Sequence, residues 1–266
     1  MSTQHTKDRT VQTLRSLTSI LGYAYGSSEI CHFLYSIIKM HRPTTVVELG
    51  AGLGVSTFWM ALALQENGSG HLWAVDNFVQ YEEYRQKLFP RVQSALKEVG
   101  IALDLDHSPE AYFEKAEELL NLQAYWTLVH QTIDSRQPNH FETYPFAEEN
   151  IDLLFSDFAS NPDAILQLFV QILPRMAECS SVFIDSAPTI RESYFLLNSL
   201  VESFNAGNVP KILADLLTSE EIETILNRRY TLVHLTYNPE GHQSGTSWLK
   251  IEPHDIVPYP RVPFRS

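Results

Sequence analysis

Apolar positions recur at spacings of three and four from Val11 to Ile38. Val11, Leu14, Leu17, Ile20 and Leu21 predict a first helix that Gly22 and Gly26 interrupt. Ile30, Phe33, Leu34, Ile37 and Ile38 stripe a second helix, with Ser27 or Ser28 as N-cap and Glu29 in its first turn. His41-Arg42-Pro43 ends it. The pattern then changes to a β-branched run, Thr44 to Leu49, which stops at Gly50 and leads through Ala51-Gly52-Leu53-Gly54 into a helix from Val55 to Gln65. His71 to Val75 reads as a strand ending at Asp76, and Tyr81 to Val99 as one amphipathic helix. Ser108, Pro109 and Glu110 open another helix as N-cap, first helical residue and first-turn acid. A third strand is Ile101 to Leu105 or Tyr125 to Val129, and the pattern leaves both open.

Further on, Ile151 to Ser156 forms a buried strand ending near Asp157, followed by a helix that Asn161 and Pro162 start. Ser180 to Ile184 is a strand ending at Asp185, and Arg191 to Phe204 is a helix. Thr218 and Glu221 make a capping box over Glu220 to Asn227, and Tyr230 to Tyr237 with Thr246 to Ile251 reads as a β-hairpin. Strands alternating with helices imply right-handed crossovers and an α/β fold, a mostly parallel doubly wound sheet closed by an antiparallel hairpin. At 266 residues, with 44% hydrophobic and 19% charged side chains, the chain is one large globular unit with an appendage. The expected division is a helical cap over residues 1–43 and a ligand-binding domain over 44–266.

The net charge of −13 repels a phosphate backbone, which argues against nucleic acid as a partner. No stretch approaches the roughly 18 apolar residues of a membrane span, and Cys31 and Cys179 match no metal or redox spacing. These features predict a cytoplasmic protein in a reducing compartment, acting on a small molecule, with a homodimer as one assembly open to it. In an open α/β sheet the ligand sits beyond the carboxyl ends of the strands, against the first turn. Here that turn is Glu48-Leu49-Gly50-Ala51-Gly52-Leu53-Gly54, a GxGxG spacing with an acid two residues ahead of it. A dinucleotide site would show GxGxxG, so the spacing favours a ligand without a pyrophosphate.

The segment VVELGAGLGVSTFWMALAL resembles the first motif of class I S-adenosylmethionine-dependent methyltransferases, especially small-molecule O-methyltransferases. IDLLFSDFASNPDAILQLFVQILPRM resembles that family's fourth strand and helix, SSVFIDSAP its fifth strand, and SEEIETILNRRYTLVHLTY with SGTSWLKIEP its closing helix and hairpin. The resemblance implies a Rossmann-like fold with an N-terminal helical lid, and S-adenosyl-L-methionine as cofactor. It implies Glu48, Gly50, Gly52 and Gly54 at the methionine end, Ser56 at the helix start, and Asp76 on the ribose hydroxyls with Asn77 beside it. Metal-dependent members carry an Asp-Asn pair at the fifth strand, whereas Asp185 is followed here by Ser186, so no metal is expected.

A sulfonium donor needs alignment and exclusion of water more than a strong acid. The first expectation is methyl transfer to a small amino-acid-like or aromatic acceptor, with the N-terminal helices and residues 121–150 closing over the pocket. The second is intramolecular cyclisation of the cofactor to an azetidine with release of methylthioadenosine, and the third is a cofactor-binding regulator without turnover. Tyr25, Asp157 and Asn139 are the candidate catalytic residues, Tyr25 because an aromatic face attracts a sulfonium by roughly 0.5–2 kcal/mol. Asp157 reads equally as a cap for the next helix, and Asp185 as a cap. His107, His130 and His140 are alternative general bases that read more simply as solvated or hydrogen-bonded side chains, and adenine contacts fall near Asp106 or Asp134.

Overall fold

The computed structural model describes residues 3–25, 28–87, 89–98, 100–101, 108–134, 136–137, 139–236 and 245–254. The elements, in chain order, are α1 (Thr3–Tyr25), α2 (Ser28–His41), β1 (Thr45–Leu49), α3 (Val55–Asn67), β2 (His71–Asp76), α4 (Tyr81–Lys87), α5 (Phe89–Glu98) and α6 (Pro109–Leu120). They continue with β3 (Trp126–His130), β4 (Ile151–Ser156), α7 (Pro162–Ile172), β5 (Met176–Asp185), α8 (Arg191–Asn205), α9 (Lys211–Ala214), α10 (Ser219–Leu226), β6 (Arg228–Thr236) and β7 (Gly245–Pro253). The seven strands form one sheet in the order β3-β2-β1-β4-β5-β7-β6. β1 to β5 run parallel, and β7 runs antiparallel to both of its neighbours. Chain order reverses between β1 and β4, so the crevice of a doubly wound sheet opens between their carboxyl ends.

Two apolar clusters cover the two faces. On one, Leu14, Leu17 and Leu21 of α1 and Ile30, Leu34, Ile37 and Ile38 of α2 pack with α3, α5 and α6. Helix α3 is buried from Thr57 to Leu64, which is what a helix apolar all round requires: the sheet lies on one side of it and the N-terminal helices on the other. Trp59 Nε1 of α3 donates to Thr18 Oγ1 of α1 at 2.7 Å, tying the layers together. On the opposite face, α7, α8 and α10 pack with Phe141, Tyr144 and Phe146 from the connection between β3 and β4. Within the 121–150 segment, Leu122 and Trp126 pack in the cluster of the N-terminal helices, whereas Phe141, Tyr144 and Phe146 lie on the opposite face of the sheet. The segment's aromatic side chains are needed to bury that face: Tyr144 and Phe146 stack at 5.1 Å.

Several local expectations change. The third strand is Trp126–His130, paired with β2, the later of the two alternatives; residues 102–107 lie outside the described residues. The helix expected from Tyr81 to Val99 is described as α4 and α5, with Leu88 and Val99 outside the described residues. Strand β5 starts at Met176 rather than Ser180, with a register shift against β4 between Ile151 and Leu153. The caps stand as read: Ser108 accepts from Ala111 N, Asn161 from Ala164 N, and Thr218 with Glu221 forms the capping box. Thr218→Ala is expected to cost about 1 kcal/mol, a fall of about 3 °C in Tm, readable by thermal unfolding.

Candidate functional site

The turn after β1 is held from four directions. Gly50 N donates to Val75 O at 2.9 Å, and Asp157 N donates to Leu49 O at 2.9 Å, so the loop is stitched to β2 and to the end of β4. Gly50, Gly52 and Gly54 all have positive φ, at 95°, 56° and 76°. A Cβ on Gly50 would lie 3.3 Å from the Asp157 main chain, so the two strand ends approach closely only because this residue is glycine. Tyr112, buried in α6, donates its hydroxyl to Leu53 O at 2.8 Å. Asp76 completes the clamp, its Oδ2 accepting from Gly52 N at 2.8 Å and its Oδ1 from Phe78 N at 2.6 Å.

Beneath the turn lies Glu48, with no exposed surface. Its carboxylate accepts from Ser56 Oγ and Thr57 Oγ1, both in the first turn of α3. Burial pushes its pKa up to about 7; the two hydroxyl bonds oppose that shift and the charge of Asp76 adds to it. Glu48, Asp157 and Asp185 continue the period-two faces of Val46, Phe155 and Phe183, and so project toward α2 and α3. There they meet Cys31 of α2. Burial pushes this thiol up to about 12, with the charges of Glu48, Asp157 and Asp185 each contributing. Asp185 is itself buried and shifted upward by burial, while accepting from Thr246 Oγ1 at 2.7 Å and Ser186 Oγ at 2.9 Å.

The remaining sequence candidates divide. Ser56 serves Glu48, and Asn77 Oδ1 accepts from Val79 N at 3.2 Å in the loop after β2. Gly54 lies under the rings of Phe113 and Phe58. Tyr25 ends α1, and its side chain lies outside the described residues, as do Asp106 and His107. Asn139 is exposed at φ 58° and opens a short 3₁₀ turn, His140–Thr143, in the β3–β4 connection. His140 is a buried structural ring, its Nε2 against Thr132 O and the Tyr144 hydroxyl. The sequence offered no signal for Tyr112 and gave Cys31 and His130 no place at the site. His130 ends β3 opposite Asp76, pairs through Nδ1 with Glu110 Oε1, and meets the Phe78 ring at 5.2 Å.

A family model described as a methyltransferase domain matches residues 47–187, from β1 to the turn after β5. The chain belongs to this methyltransferase family. It is therefore an enzyme that transfers methyl groups, and the family's donor is S-adenosylmethionine. Solved structures similar to the methyltransferase chain include an O-methyltransferase from Bacillus cereus in complex with SAH. That chain is 15% identical, with a TM-score of 0.47 over 95% of this chain and 93% of that one. Another is the O-methyltransferase TomG from Streptomyces achromogenes, involved in tomaymycin synthesis, at 15% identity, a TM-score of 0.42 and coverage of 93% and 89%. A methyltransferase from Geobacter sulfurreducens gives 14% identity, a TM-score of 0.44 and coverage of 91% and 89%. No curated protein matches the chain. Among the described residues, no three His, Cys, Asp or Glu side chains are grouped to hold a metal ion, and no helix is long and apolar enough to cross a membrane.

Proposed function

We propose that this methyltransferase binds S-adenosylmethionine across the carboxyl ends of β1, β2 and β4 and methylates an oxygen of a small aromatic or amino-acid-like acceptor. The observation that carries the reading is Asp76: each oxygen is fixed by one main-chain N–H, at the end of β2 and one strand from the switch point. A carboxylate oxygen can accept more than one hydrogen bond, so a carboxylate held this way suits two ribose hydroxyls. The residues around it fit the rest of the cofactor. The glycines leave the main chain bare beside Asp76, and Glu48, Asp157 and Asp185 bring their carboxyl groups toward one face.

When bound, the cofactor supplies a methyl group already activated by its sulfonium. The protein's task is then to hold, align and keep dry. Asp76 and the glycine turn do the holding. Glu48 acts from below, fixing Ser56 and Thr57 and with them the start of α3. Asp157, next to the turn and on the face of α2, is the candidate to orient the acceptor, and Tyr25 at the end of α1 the candidate aromatic face. Phe33, Phe183 and Trp248 pack ring to ring at 5.6–6.0 Å on that same face and support a flat, apolar acceptor. Asn139 receives no role in this reading, and intramolecular cyclisation gains no support from the family match.

Calorimetry with S-adenosylmethionine tests the proposal. Asp76→Ala is expected to weaken binding by about 1–3 kcal/mol, roughly 5- to 150-fold. Unchanged affinity would remove Asp76 from the cofactor site, and no binding by the wild-type protein would remove the site altogether. S-adenosylhomocysteine released only on addition of a phenolic or hydroxylated amino-acid acceptor supports methyl transfer, whereas methylthioadenosine from cofactor alone would overturn it.

A further inference from the structure

At the end of the sheet opposite to Asp76, the carboxyl end of α2 meets the amino ends of β1 and β4 around a cavity of about 150 Å³. Its buried lining is apolar, Ile37 of α2 and Leu153 of β4. Strand β5 contributes Ser181, whose Oγ accepts from Trp248 Nε1 at 3.0 Å, and Cys179, an exposed free thiol.

Two opposite charges line this cavity without meeting. Asp152 Oδ2 accepts from Thr44 N at 2.7 Å and from Thr45 N at 2.9 Å, which pins the carboxylate to the start of β1. Its Oδ1 has no partner among the described residues. Arg42 lines the same cavity beside His41, and its guanidinium makes no ion pair or hydrogen bond among the described residues. The main chain holds Arg42 in an unusual place. Its N donates to Ile38 O at 2.9 Å, closing α2 at a φ of 50° directly before Pro43. Glycine is the ordinary residue at such a left-handed helix end, and a residue before proline is ordinarily extended. Backbone held in a sparsely populated region gathers at ligand clamps.

We infer that this cavity binds a small α-amino acid as its zwitterion, the carboxylate on the Arg42 guanidinium and the ammonium on Asp152 Oδ1. A guanidinium presents paired N–H donors that match a carboxylate. A carboxylate oxygen without main-chain bonds is in turn an acceptor for an ammonium. The two charges select against simpler ligands: Asp152 repels an anion such as phosphate, and Arg42 repels an amine or a metal ion. A molecule that carries both charges on neighbouring atoms satisfies the two together. A cavity of this volume takes a ligand of about six non-hydrogen atoms, the size of alanine. Its side chain then lies against Ile37 and Leu153.

Calorimetry with L-alanine tests the assignment, in protein saturated with S-adenosylhomocysteine so that the site at Asp76 does not compete. Binding is expected with a Kd near or below about 1 mM, and propionate and ethylamine are each expected to bind at least about tenfold more weakly. Arg42→Gln and Asp152→Asn are each expected to weaken alanine binding by about tenfold or more, while asparagine keeps an acceptor for Thr44 N and Thr45 N. Arg42→Gly removes the guanidinium and the strain together, so it is expected to abolish binding without lowering Tm. Cys179 reports the place of binding, because Cys31 is buried. Alanine is expected to slow the reaction of Cys179 with a thiol reagent in the wild-type protein and not in Arg42→Gln. No binding of alanine at this level, propionate bound as tightly as alanine, or alanine binding unaffected by Arg42→Gly and Asp152→Asn would each overturn the assignment.

Discussion

Gly54→Ala is expected to lower stability by about 3 kcal/mol, a fall of about 10 °C in Tm. Two costs combine. The residue sits at φ 76°, where a Cβ meets the following main chain and costs roughly 1–2 kcal/mol. The new methyl would also lie 2.5 Å from a ring carbon of Phe113 and 2.9 Å from one of Phe58, inside a cluster that includes Trp126. Rings buried on every side have nowhere to move, and overpacking of this kind adds about 1–3 kcal/mol. Gly68→Ala separates the two costs, because Gly68 has φ 71° at the other end of the same helix with nothing within 4 Å of its Cβ position. Its expected loss is about 1 kcal/mol. Equal losses at the two positions, measured by thermal or urea unfolding, would show that crowding contributes nothing.

That result would also divide a motif the sequence presents as uniform. Read along the chain, Gly50, Gly52 and Gly54 look like one ligand-facing turn. In space Gly50 lets β1 approach the end of β4, Gly52 presents its N–H to Asp76, and Gly54 makes room for aromatic rings. Spacing identifies such a turn because its demands are local: positive φ, then a helix start. The same holds for the caps at Ser108, Asn161 and Thr218, and for the strand ending at Asp157, whose order and approximate limits were legible. Contacts between distant segments were not. Tyr125 to Val129 and Ile101 to Leu105 are equally β-like, and only pairing beside β2 distinguishes them. Cys31 gains its meaning from carboxylates that end three different strands, brought to it by the period-two alternation of those strands beneath α2. The 121–150 segment reads in sequence as closing over the pocket, but Phe141, Tyr144 and Phe146 of its later part are taken by the sheet face opposite the N-terminal helices.

The second large effect is a dependence of stability on pH with an unusual sign. Glu48, at about 7 in the folded protein against an ordinary value of 4.5, keeps a proton that the unfolded chain gives up. Its contribution is therefore fully present below about pH 4.5 and is lost as pH rises through about 7, on the order of 3 kcal/mol. The upward shift of Asp185 acts in the same direction, whereas the downward shifts of Glu110 and Glu252 act in the opposite one. A single pH profile sums all of these, so the informative quantity is the wild-type stability minus that of Glu48→Gln. Glutamine keeps an acceptor for one hydroxyl of Ser56 or Thr57 and offers a donor to the other, without a charge to bury. The difference is expected to favour the wild-type protein progressively less between about pH 5 and 8. A difference that stays flat would mean that Glu48 is ionised throughout this range, and burial would not govern it. Saturating S-adenosylmethionine is expected to move the window to lower pH, since a cation near Glu48 favours its carboxylate. An unmoved window, with binding established separately by calorimetry, would place the sulfonium away from Glu48.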